Sequence, residues 1–235
     1  KLGVNSDEME VWNYIKNELK KDNVNLEIIT FNDYTRPNLA LAERDIDINS
    51  FQHYAFFNKF IANHNLDLTS IGETIIAPLG IYSEKINSLS EVKINDVVAI
   101  PNDETNGGRA LNLLQSAGLL KLESKELPTV DDILENKLNL DILEVDAAMV
   151  PRTLKDVDIA IINSGFAVDA GYLPTDDSIF LEDINEDTNP YINIFAVRTE
   201  DKDDLDLLKI VEIYQTKEVE EIINRVYKGS QKIAW

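Results

Sequence analysis

The stretch from Val97 through Asn102-Asp103-Glu104-Thr105-Asn106-Gly107-Gly108-Arg109 to Leu114 constrains this chain more than any other. Val97 to Ile100 is a short apolar run and reads as a buried strand. A polar turn closed by two glycines follows. An amphipathic helix comes next, with Ala110, Leu111, Leu114 and Ala117 at helical spacing. Strand, turn and helix start together gather unpaired backbone N–H groups and the Arg109 guanidinium at one spot, which suits an anion. Arginine offers a planar fork that matches a carboxylate. The phosphate-loop string of glycine, four residues and Gly-Lys-Ser/Thr is absent. The pattern therefore points to a small carboxylate rather than a polyphosphate.

The same layout occurs twice. The first half opens with Leu2-Gly3-Val4 and a turn at Asn5-Ser6-Asp7-Glu8. A helix with Val11, Trp12, Ile15 and Leu19 on one face follows, then a strand at Leu26–Ile29, a helix through Asn38–Ala42 and a strand at Ile46–Asn49. The second half opens at Val97–Ile100, then shows a strand at Asp141–Val145, a helix from Met149 to Leu154 and a strand at Ile159–Asn163. Strands alternating with helices imply parallel sheets with right-handed crossovers, here in two lobes with a cleft between them. Thr74 to Tyr82 reads as one extended crossing, and Tyr191 to Val197 as a second that carries the chain back. Helices from Leu205 to Tyr227, stopped at Lys228-Gly229, return to the first lobe. Residues 1–80 with 196–235 are thus expected to form lobe one, and 81–195 lobe two.

Charge and composition remove several functions. With 22 basic and 43 acidic residues the net charge is −21, a field that repels nucleic acid and anionic membrane surfaces. No cysteine is present, so thiolate metal sites and a cysteine nucleophile are excluded. His53 and His64 have no carboxylate spaced as a metal ligand would be, and Gly-x-Ser-x-Gly is missing. Neither a metal nor a cofactor is expected. No apolar run reaches the ~18 residues of a membrane-spanning helix.

Doubly wound folds bind ligands beyond the carboxyl ends of their strands. Asn5 and Ser6 fall there after the first strand, Phe31 to Tyr34 after the second, and Asn49 to Tyr54 after the third, including Phe51, His53 and Tyr54. The second lobe contributes Asn106, Arg109, Asn163, Ser164 and Gly165. One edge is rich in rings and the other in amides, a pairing that suits a small amphiphilic zwitterion. Plainer readings stand beside these. Phe51 and Tyr54 also fit a core, His53 a ring wall or hydrogen-bond donor, and Asn163 a cap on the following helix. Tyr172 and Pro174 after Gly171 read as a helix stop.

Several segments, taken in order along essentially the whole chain, resemble the methionine-binding lipoprotein (NlpA-type) family. They are Asn32 to Leu41, Phe51-Gln52-His53, Ala77 to Ser83, Ile100 to Leu111, Val157 to Asn163 and Asn189 to Asn193. The resemblance implies an α/β, two-lobed, type II periplasmic-binding-protein-like fold, each lobe a mostly parallel sheet flanked by helices, with two crossing strands. It also implies a non-catalytic, extracytoplasmic binding subunit serving an ABC permease and ATPase complex, with a lipid-anchor cysteine and signal peptide upstream of Lys1. By position, Arg109 would grip the ligand carboxylate and Asn163 its polar end. Phe51, His53, Tyr34 and Tyr82 would enclose the side chain, with Asn193 assisting. A thioether packs well on ring edges. Where many members carry a second polar residue and then tyrosine, this chain reads Asn163-Ser164-Gly165-Phe166. The smaller residues leave room for a Met-containing dipeptide as well as free methionine. The competing reading is an α/β enzyme acting on an amino acid in the same cleft.

Overall fold

The computed structural model describes Lys1–Asn5 and Met9–Trp235, apart from the Met9 side chain. The expected turn residues Ser6, Asp7 and Glu8 lie outside the described residues.

In the first unit, β1 (Leu2–Val4), α1 (Met9–Lys21), β2 (Ile28–Thr30), α2 (Arg36–Ala42) and β3 (Ile48–His53) build the expected β–α–β–α–β run, continued by α3 (Tyr54–His64) and β4 (Leu68–Ile76). Val11, Trp12, Ile15 and Leu19 are all buried, as their shared helix face requires. In the second unit come β5 (Gly80–Tyr82), β6 (Val97–Pro101), α4 (Glu104–Ser116), β7 (Lys121–Leu122), β8 (Ile133–Glu135), β9 (Asp141–Val145) and α5 (Val150–Thr153). They are followed by β10 (Ile159–Ile162), α6 (Ser164–Asp169), α7 (Pro174–Asp177) and β11 (Phe180–Leu181). The chain ends with β12 (Ile192–Arg198), α8 (Leu205–Tyr214), α9 (Lys217–Tyr227) and β13 (Lys232–Ile233).

The chain divides into Lys1–Ala77 with Ile184–Trp235, and Pro78–Asp183. The first unit's sheet runs β13-β4-β12-β3-β1-β2. Its β–α–β strands pair in parallel, β1 with β2 and with β3. β12 is antiparallel to both β3 and β4, and β13 is antiparallel to β4. The second sheet, β11-β5-β10-β6-β9, repeats this logic. β6 is parallel to β10 and β9, while β5 and β11 add antiparallel strands. Both sheets are therefore mixed rather than mostly parallel. Crossover helices enforce parallel pairing only within each β–α–β unit, and the flanking strands are free to join the other way. Tyr191–Val197, expected as a crossing, is instead largely β12. It is hydrogen-bonded along its length inside the first sheet, so the chain re-enters that unit at Ile184.

The second unit's core explains why its strands read as unbroken apolar runs. Val98, Ile100, Ile159 and Ile161 are fully buried in the sheet, and Ala110, Leu111 and Leu114 of α4 pack on them. Burial on both faces of a parallel strand leaves no polar alternation, and each such side chain contributes about 1.5–3 kcal/mol. Gly107 and Gly108 lie inside α4, not in the turn before it. A Cβ at Gly107 would sit 2.8 Å from the Pro101 carbonyl oxygen, and one at Gly108 3.1 Å from that of Pro128. The glycines let α4 press against the end of β6 and the following loop. In the first unit α8 and α9 pack on α1, and Trp12, Phe195 and Tyr214 meet ring to ring. Among the described residues, no helix is long and apolar enough to cross a membrane.

Candidate functional site

In the first unit a set of rings collects around the end of β3. The loop before α2 is fixed by Asp33, whose Oδ1 accepts the N–H groups of Thr35 and Arg36 at 2.8 Å each, and by Asn5, whose side chain donates to the Asp33 carbonyl at 2.7 Å. This holds Tyr34 with its ring centre 6.0 Å from Phe51 and 5.8 Å from Phe56. Phe51 falls where the pairing of β3 with β12 skips a residue: Ile194 faces Gln52 and Phe195 faces Ser50. Such a bulge re-aims a side chain. His53 caps α3, its Nδ1 accepting the Phe56 N–H at 3.1 Å. An accepting Nδ1 places the proton of the neutral ring on Nε2. The His53 ring lies edge-on to Phe56 and to Tyr191, with centres 6.4 and 5.2 Å apart. Asn193, half-buried, faces His53 directly across the β3–β12 ladder.

Tyr54 stands apart from this group. It packs with Ile29, Phe31, Ile61 and Leu66 on the core around Leu41 and Leu68. Burial pushes its hydroxyl pKa upward. It has the environment of a core residue, one of the two readings its sequence allowed. Asn49 and Gln52, expected beyond the strand, lie within β3. With Asn38 they form a buried amide network: Asn38 and Gln52 exchange two hydrogen bonds at 2.7 Å, and Asn49 and Gln52 add bonds of 3.0 and 3.1 Å. This network braces the strand that carries Phe51 and His53.

In the second unit the polar residues converge at one end of β5, β6 and β10. Asp103 caps α4, accepting the Asn106 N–H at 2.9 Å, the Thr105 hydroxyl at 2.9 Å and the Asn106 side-chain amide at 3.0 Å. The helix start expected to attract an anion thus already has a carboxylate of its own. Asn163 begins α6 but makes no cap bond. Its amide donates instead to Asn106 Oδ1 at 2.7 Å, while Asn163 Oδ1 and the neighbouring Ser164 Oγ are buried with no hydrogen-bond partner. Tyr82 joins them by register. Gly80 pairs with Ile162, the residue before Asn163, and the Tyr82 hydroxyl lies 2.8 Å from where a Gly80 Cβ would be. That hydroxyl is likewise buried without a partner, and burial drives its pKa well above the ordinary tyrosine value.

Arg109 is not at the helix start but inside α4, and it is buried. Its Nε and Nη2 donate to the two oxygens of Glu182 at 2.9 and 2.5 Å. Arg198 is buried as well, but it donates to the Leu41 and Ile46 carbonyls at 2.8 and 2.7 Å and pairs with Asp201, a structural role at the end of α2. Glu182, Phe56 and Tyr191 were not singled out as ligand residues from sequence, whereas Ser164 was placed at the strand end beside Asn163. Phe56 had a signal in its helical spacing from His53, and Phe60 and His64 extend the same stacked row. Glu182 had none, standing 73 residues from Arg109.

Two α/β units, each a mixed sheet with a β–α–β core, make this a two-lobed fold of the periplasmic-binding-protein kind, with polar and aromatic groups gathered at strand ends. The model of the NlpA lipoprotein family matches residues 1–235, and the chain belongs to that family. It is 43% identical over 220 residues to the D-methionine-binding lipoprotein MetQ of Salmonella typhi, covering 92% of this chain and 80% of the relative. The Escherichia coli K12 protein of the same name is 42% identical over 219 residues, with the same coverage. Among solved structures, protein PG110 from Staphylococcus aureus superposes with a TM-score of 0.97 at 43% identity, over 99% of this chain and 93% of that one. A nutrient binding protein from Burkholderia cenocepacia, bound to methionine, gives 0.94 at 40% identity over 100% and 98%.

Proposed function

We propose that this chain is a non-catalytic substrate-binding lipoprotein that captures methionine, or a short methionine-containing peptide, outside the cell and delivers it to an ABC importer's permease and ATPase. The observation that carries this reading is that three buried polar atoms without partners, Tyr82 OH, Asn163 Oδ1 and Ser164 Oγ, gather where β5 pairs with the end of β10. Such atoms cost about 1–3 kcal/mol each when left unsatisfied, and a ligand's polar end would satisfy them. Arg109 and Asn106 supply the charge and amide for a carboxylate. Tyr34, Phe51, His53 and Phe56 supply ring edges for a thioether, with Asn193 facing His53. The relatives named for D-methionine binding and the neighbour bound to methionine support the ligand class. Family membership supports an extracytoplasmic, lipid-anchored location. Membership of a substrate-binding lipoprotein family weighs against the competing enzyme reading.

Room at Gly165 favours the longer ligand as an addition to free methionine. A Cβ there would meet nothing within 4 Å, and its backbone is not in the left-handed region. Native mass spectrometry of freshly purified protein should release methionine or a methionine-terminated dipeptide. Calorimetry with glycyl-methionine should show binding at least as tight as for methionine, and Gly165→Asn should weaken the dipeptide more. Equal weakening of both ligands removes the peptide from the reading. Failure to bind either ligand removes the reading itself.

A further inference from the structure

Glu182 is held from three sides. Arg109 grips both its oxygens, the Leu79 N–H donates to its Oε2 at 3.0 Å, and its own N–H donates to the Leu79 carbonyl at 2.9 Å. The side chains are 3% exposed for Arg109 and 13% for Glu182. A carboxylate fixed by that many donors does not swing aside to expose a bare guanidinium, so a ligand reaching Arg109 meets a neutral pair. Asp103, at the start of α4, is directed to the backbone N–H and side-chain amide of Asn106.

We infer that Glu182 is a specificity-determining residue whose charge makes the Arg109 subsite accept a zwitterion and refuse a ligand of net negative charge. This rests on the functional reading above, in which Arg109 takes the ligand carboxylate. A carboxylate brought beside the buried pair adds an uncompensated negative charge next to Glu182, which burial makes costly. A ligand that carries its own ammonium restores neutrality and offers Glu182 a second cation. Removing the Glu182 charge narrows the preference, because the Arg109 charge is then no longer balanced by Glu182 and attracts any carboxylate.

The test compares methionine with methylsulfanylbutanoate, its analogue without the ammonium, by calorimetry on the parent and on Glu182→Gln. The parent should prefer methionine by about tenfold or more, and the variant should narrow that ratio by about fivefold, with the deaminated ligand bound more tightly than by the parent. Equal weakening of both ligands in the variant would mean that Glu182 only shapes the site, and would overturn the inference. If the variant does not fold, the parent alone still decides: comparable affinity for the two ligands overturns it. Binding of neither ligand by the parent defeats the functional reading first, and the inference with it.

Discussion

Asn163 donates its side-chain amide to Asn106 Oδ1 at 2.7 Å, tying the end of β10 to the first turn of α4. Asn106 in turn donates to Asp103, so the chain of bonds leaves Asn163 Oδ1 as its open, accepting end. Asn163→Ala should weaken methionine binding by about 1–3 kcal/mol, the cost of unpaired polar groups at a buried site. Isothermal calorimetry checks this, and an affinity within about twofold of the parent would take Asn163 out of the site.

Arg109→Ala should damage folding as well as binding, because it strands the Glu182 carboxylate in a buried position. A broken buried pair costs about 3–5 kcal/mol. Arg109→Lys should restore only part, since an ammonium cannot reproduce the two-pronged contact. Urea unfolding of the three proteins gives the answer. An alanine variant as stable as the parent would show that the pair contributes nothing to the fold.

Gln52→Leu should destabilise the first unit. It removes both of Asn38's bonds to Gln52 and the bond to Asn49 Oδ1. Two orphaned buried groups at about 1–3 kcal/mol each predict a loss of about 2–6 kcal/mol. Ligand affinity should fall too, since Phe51 and His53 flank the substituted residue. Chemical denaturation showing a loss below about 0.5 kcal/mol would mean that the network is not needed.

Acid stability should depend on Asp132. Hydrogen bonding from Lys125, then from the Thr129 N–H and hydroxyl, lowers its pKa from 3.8 to about 2. A folded-state value below the unfolded one means a stabilisation that is complete above the ordinary value and vanishes as pH falls toward 2. Asp132→Asn should therefore be less stable at neutral pH yet lose less between pH 3.8 and about 2. Thermal midpoints across that window test the sign. Parallel curves for the two proteins would contradict it.

What could be read from the residues depended on how local the cause was. β9 lies at Asp141–Val145 as expected, and β6 and β10 differ from expectation by one residue at the end. Their apolar runs are dictated by burial on both faces. β3 was placed too early, because Asn49 and Gln52 look like loop residues until their amides are seen bonded to one another and to Asn38 of α2. β5, β11 and β13 span two or three residues, too short for any period to show. Arg109 was found as a ligand candidate through its neighbours. Its partner Glu182 was not, because only the three-dimensional pairing of β11 with β5 brings it to Leu79 and Arg109.

The place of β12 also fixes an order of assembly. It lies between β4 and β3 in the first sheet, yet it is made only after the whole of Pro78–Asp183. The second unit is one uninterrupted stretch of chain and closes its own sheet from within. Until Ile192–Arg198 is made, β4 and β3 lack the strand that lies between them, and their unpaired edges invite wrong partners. A chain halted before Ile192 therefore contains every strand of the second sheet and only the two unjoined sides of the first.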